Sequence, residues 1–247
     1  MGPWRLEVLR LWRTRRLVAL AAIFLLLGLG MPILTYELPE LIKHAGNGVQ
    51  VTVPTQTAAD SIAAFASNAA QLGTLVVVVV AAATLAIDAN PGLAAFYRTR
   101  IHRPTRLVLP RYAVVTAASI ASLALGTLGA WYETVVLFGS FSVGALLGGF
   151  ALEALWLCFV TSIVLVFGSA IRGLLGVVGA SIALLLALAL LGNLSAVSSW
   201  LPTRLAGSEA DLVKHAAGGI WRAAVITAVA TVAAVSLGVY RLGQYRR

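Results

Sequence analysis

The residue with the most chemical potential in this chain is Glu153, in the run "GGFALEALWLCF", the one carboxylate set deep inside a long apolar stretch. An ionised acid in such surroundings is costly, so it must be neutral, paired or beside a wet cavity. No basic residue stands mid-run to pair with it. Two roles stay open: a polar or proton-linked contact on a substrate pathway, or a structural hydrogen bond to a neighbouring helix. The other reactive side chains assemble into no known site. His44, His102 and His215 fall between apolar runs and lack metal-ligand spacing with one another, so no metal centre is expected. A membrane-embedded serine protease of the rhomboid type needs a Ser–His pair; "GASIA" at 179–183 offers a serine, but no histidine follows in a later run. A phosphate-binding loop needs a glycine-rich turn ending in Gly-Lys-Ser/Thr, and neither Lys43, after Ile42, nor Lys214, after Val213, fits. The single Cys158 can form no intramolecular disulfide. The chain is therefore expected to be no enzyme, with no catalytic residue and no cofactor of its own.

What must position Glu153 is a set of membrane helices. The 247 residues are 60% hydrophobic and only 11% charged, with a mean hydropathy of +0.93, whereas soluble domains are about a quarter charged. Six runs, roughly 17–36, 68–88, 110–131, 135–167, 173–192 and 220–240, reach the 20 or so apolar residues that a spanning helix needs. The expected fold is an all-α integral membrane protein, one transmembrane unit over 1–247. The fourth run is long enough to be tilted or broken, since Gly139, Gly144, Gly148 and Gly149 punctuate it. Ser140, Gly144 and Gly148, and then Gly173, Gly176 and Gly179, would let backbones approach closely, within one subunit or at a dimer seam. The first run is longer than a signal-peptide core and no clean cleavage site follows it, so it is expected to be retained.

The net charge of +9 does not point to nucleic acid, because the positive residues stand at the ends of apolar runs. It sets topology. With the N-terminus inside, Arg5, Arg10, Arg13, Arg15 and Arg16, then Arg98, Arg100, Arg103, Arg106 and Arg111, then Arg172, Arg241, Arg246 and Arg247 all lie on the cytoplasmic side. Lys43, Arg204, Lys214 and Arg222 are left outside. Both termini are then cytoplasmic. The polar segments are too short to bury a core, so any catalytic domain must belong to another chain.

Two cytoplasmic stretches go beyond topology. In residues 1–16, Trp4, Val8, Leu11 and Trp12 share one helical face and Arg10, Arg13 and Thr14 lie opposite, which predicts a helix in the membrane interface. In "LAAFYRTRIHRPTRLVLPRY", Asn90 can cap a helix starting at Pro91 and ended by Pro104, with Leu93, Phe96, Tyr97 and Ile101 along one face and Arg98, Thr99 and His102 along the other. That aromatic face suits lipid headgroups or a groove on a partner protein.

This layout, together with "FYRTRIHRPTRLVLPRY", resembles the permease subunit of bacterial type 2 ABC exporters along essentially the whole chain. The resemblance implies that 1–16 is the elbow helix and 91–103 the coupling helix, with Phe96, Tyr97, Arg98, Arg100, Ile101 and Arg103 as contacts for a separate ATPase. Many members carry acidic residues early in this loop, whereas here Asp88 alone is acidic. It further implies two cytoplasmic ATPase subunits that hold ATP and Mg, a second permease, identical or a paralogue, and a place in the bacterial plasma membrane. The segment 193–219 would supply short re-entrant helices that gate the outer side, with Trp200, Leu201, Leu205 and Leu212 as candidates; a plain loop with a Trp anchor at the interface is the alternative. The implied function is export of a hydrophobic or amphipathic compound, drug-like or lipid. A non-transporting assembly or accessory protein, whose basic loop binds lipid headgroups, is the competing class.

Overall fold

The computed structural model describes residues 3–45, 55–86, 105–194, 197–214 and 218–244, and every regular element among them is helical. Six helices are long and apolar enough to cross a membrane: Arg16–Ile42, Ala58–Leu85, Val108–Phe138, Val143–Ala170, Leu174–Gly192 and Ile220–Leu242. These are spans one to six. The fold is the all-α, six-span membrane bundle that the apolar runs predict.

The helix Pro3–Arg13 precedes span one. It ends where the Thr14 hydroxyl donates to the Arg10 carbonyl at 2.8 Å and Arg15 takes a φ of 55°, a left-handed turn that redirects the chain without a loop. Its apolar face divides: Trp4, Val8 and Trp12 are exposed, while Leu11 is buried against the bundle.

Span two begins at Ala58, earlier than the run from 68. A capping box starts it: the Asp60 amide donates to the Thr57 hydroxyl at 3.3 Å, and the Thr57 amide to the Asp60 carboxylate at 3.2 Å. Ser61 and Asn68 lowered the hydropathy of this first stretch, but both are satisfied internally, Ser61 by Thr134 of span three at 2.8 Å and Asn68 by the Ala64 carbonyl at 2.8 Å. A π turn over Ala69–Gly73 then shifts the helical phase.

The expected single run 135–167 divides in two. Residues up to Phe138 complete span three, Gly139 turns at a φ of +91°, and Ser142 accepts from the Ala145 amide at 3.4 Å to open span four at Val143. Apolar residues on both sides of Gly139 hide this turn from a hydropathy window.

Spans two, three and four form the inner layer, with 56% of each one's most apolar window buried, against 28% for span one, 22% for span six and 11% for span five. The outer three present apolar faces to their surroundings, as helices against lipid do. The tightest helix crossing joins spans one and three: a methyl group on Gly126 would lie 2.6 Å from the Phe24 carbonyl oxygen. Gly144, Gly173 and Gly179, expected at such crossings, face open space instead.

Candidate functional site

A cavity of about 1020 Å³ lies between spans two and five, floored by span four and roofed by residues 198–211. That volume reaches the top of the range of small-molecule sites. Span two contributes Ser67, Gln71, Thr74 and Leu75, and span five Ile182, Leu185, Leu186 and Ala189. The π turn carries Ala70 and Gln71 onto this wall. Trp156 rises from span four, its indole N–H donating to the Thr74 hydroxyl at 3.2 Å. Near the roof the lining turns polar, with Asn193, Ser198, Ser199 and Thr203, and with the Arg204–Asp211 ion pair at 3.3 Å. Such a chamber can hold an amphipathic molecule, its apolar body among the span side chains and its polar end under the roof.

The roof is built by short elements. Turns of 3-10 helix at Ser198–Trp200 and Pro202–Leu205 lead to Gly207, whose φ of 77° favours glycine. The cap helix Ser208–Val213 follows. This stretch dips onto span four at two glycines. A methyl group on Gly149 would run into the Glu209 Cα, and one on Gly148 would lie 2.9 Å from the Leu212 side chain. The Ser208 hydroxyl donates to the Gly149 carbonyl at 2.9 Å.

Glu153 lies one helical turn beyond Gly149, 2% exposed, and its carboxylate accepts from the Gly207 amide at the head of the cap helix. It stands behind the cavity wall, while Gly207 itself lines the cavity. Glu209, 1% exposed, is the second acid of this seam. Its Oε1 accepts from the Thr127 hydroxyl of span three at 2.8 Å, and its Oε2 is buried without a partner. Burial pushes the Glu209 carboxyl up to about 7, while the Thr127 hydrogen bond pulls it down. At the rim, Lys214 pairs with Asp60 at 2.8 Å.

The opposite end of the bundle is tied by arginines. Arg111, at the start of span three and 3% exposed in its side chain, donates from Nε to Glu7 Oε1 at 2.8 Å. Arg10 adds a longer contact of 3.8 Å to the other Glu7 oxygen. Arg16 donates to the Ala83 carbonyl at 2.9 Å and to the Thr84 hydroxyl at 3.3 Å, joining span one to the end of span two.

The candidate coupling residues Phe96, Tyr97, Arg98, Arg100, Ile101 and Arg103 lie outside the described residues, as do His102 and His215. Among the gate candidates, Leu205 is wholly buried beneath the roof and Leu201 half-buried, while Trp200 is exposed, with Arg222 stacked 5.7 Å from its ring centroid. Sequence reasoning passed over Glu209 and Glu7. Each had a signal: Glu209 follows Gly207-Ser208, a helix-start pattern, and Glu7 is the one acid in an arginine-rich amphipathic helix. Among the described residues no three His, Cys, Asp or Glu side chains gather to hold a metal ion.

The chain is 23% identical over 213 residues to an uncharacterized transmembrane protein of Bacillus subtilis (strain 168), YxlG, the match taking in 85% of this chain and 83% of that protein. No family model matches the sequence, and no solved structure matches it. The six apolar helices and this likeness make the chain a multi-pass membrane protein.

Proposed function

We propose that the chain is the membrane-spanning subunit of an ATP-driven exporter of the type 2 ABC class, carrying a hydrophobic or amphipathic compound, drug-like or lipid. The observation that carries this reading is the roofed cavity of about 1020 Å³ between spans two and five, apolar in its body and polar under its roof. A rigid structural protein has no need of a chamber whose lid is a separate, short-helix segment. The energy source lies elsewhere, since neither lysine sits in a phosphate-binding loop. Two partner ATPases, each holding ATP and Mg, act on the stretch 91–103, and a second permease, identical or a paralogue, completes the pathway. In this reading the arginine end faces the cytoplasm with both termini, in a bacterial plasma membrane, and the roof faces out.

Co-purification from native membranes tests the proposal. Recovery of an ATPase bearing a Gly-Lys-Ser/Thr phosphate loop, whose turnover falls when Phe96→Ala and Tyr97→Ala are combined, supports it. If no ATPase is recovered and the double substitution changes nothing but lipid binding, the chain is an accessory protein whose basic loop holds headgroups.

A further inference from the structure

Among the described residues, the seam between the roof and span four contains two carboxylates and no cation. Glu153 projects from span four into the head of the cap helix, where the Gly207 amide meets it. Glu209 projects from the cap helix toward span three, where Thr127 meets one oxygen and nothing meets the other. The Glu209 Cα packs on Gly149, one helical turn before Glu153 along span four, and the two acids interact electrostatically. The remaining charges near the cap helix are engaged at the rim. Asp60, from the first turn of span two, pairs with Lys214, and Asp211 of the cap helix itself pairs with Arg204. From span three, the neutral hydroxyl of Thr127 meets Glu209.

A buried carboxylate pair without a cation tolerates at most one charge. We propose that Glu153 and Glu209 form a proton-operated latch: protonated, they seat the Gly207–Val213 stretch on span four and keep the cavity roofed, and loss of the proton releases the roof. This device does not depend on the exporter reading; it asks only for a roof and a cavity. Its sign follows from linkage. An exposed glutamate titrates near 4.5, and in the seated roof Glu209 is pushed up to about 7. Between those values the seated state binds more protons than the released one, so seating is strongest at acid pH and weakens as pH rises, by up to about tenfold per unit. Above about 7 both states are ionised and the weakening stops.

The test uses the full chain in lipid nanodiscs with Cys158→Ala, and a reporter thiol introduced by Val213→Cys at a buried position of the cap helix. Labelling by a membrane-impermeant maleimide is followed from pH 5 to pH 8.5 with Glu209 intact and with Glu209→Gln. The ratio of the two rates at each pH cancels the ionisation of the thiol itself. The latch predicts a ratio that climbs about tenfold per unit through the acid range and levels off near neutrality. A flat ratio overturns it. Where Glu209→Gln does not fold, Thr127→Val takes its place: loss of the hydroxyl that favours the carboxylate moves the midpoint of labelling to higher pH if the latch exists, and an unmoved midpoint overturns it.

Discussion

The two ends of the bundle each bury a glutamate against a segment distant in sequence, and they do so by opposite chemistry. At the arginine end Glu7 meets Arg111, a charge against a charge at 2.8 Å. At the roof Glu153 meets a backbone amide and stands beside a second acid. A largely desolvated ion pair is strongly destabilised when one partner is removed, because the other is left uncompensated. A carboxylate pair with neutral donors holds only while it is protonated. The difference teaches that one end is built to stay closed and the other to let go.

The comparison is broken most severely at Arg111. Arg111→Ala removes the closer of Glu7's two arginine partners and should lower stability by about 3 kcal/mol, seen as a fall in melting temperature in detergent that is the same from pH 6 to pH 9. A fall that disappears with pH would make the two ends alike. Gly149→Ala comes next, because its methyl group meets the Glu209 backbone. It should cost about 1–3 kcal/mol of overpacking and speed labelling of the Val213→Cys reporter at every pH, without touching the helix Pro3–Arg13. Trp156→Phe removes the bond to Thr74 at the cavity floor and should cost about 1 kcal/mol, with no change in the pH profile of the roof. Smallest is Lys214→Ala, which opens an exposed pair with Asp60 and should cost less than about 1 kcal/mol. If instead it abolished the pH profile, the rim pair and not the buried acids would be the latch.

The bundle itself was legible in the sequence, because six apolar runs of spanning length admit few arrangements. Its errors fell where hydropathy is blind. Ser61 and Asn68 are polar in composition but satisfied inside the bundle, so span two begins at Ala58. Gly139 turns the chain between apolar neighbours, so residues 135–138, which complete span three, read as the start of the fourth run. Glu153 was legible as a residue that must be compensated, yet not its compensator. The Gly207 amide is a backbone group, and every residue type but proline supplies one. Glu209 stayed hidden because its burial depends on the roof folding down onto Gly149, a tertiary event with no periodic signature. The close crossing of spans one and three at Gly28 and Gly126 was passed over, although Ser122, Gly126 and Ala130 stand four residues apart on span three, the spacing of small residues that lets helix backbones approach.

Hydrogen–deuterium exchange on the full chain in nanodiscs, at pH 5.5 and pH 7.5, compares the two ends in one experiment. After correction for the intrinsic pH dependence of amide exchange, protection over 207–213 should fall at least about tenfold at the higher pH. Protection over the helix Pro3–Arg13 should not change. Equal change at both ends, or none at the roof, contradicts the account.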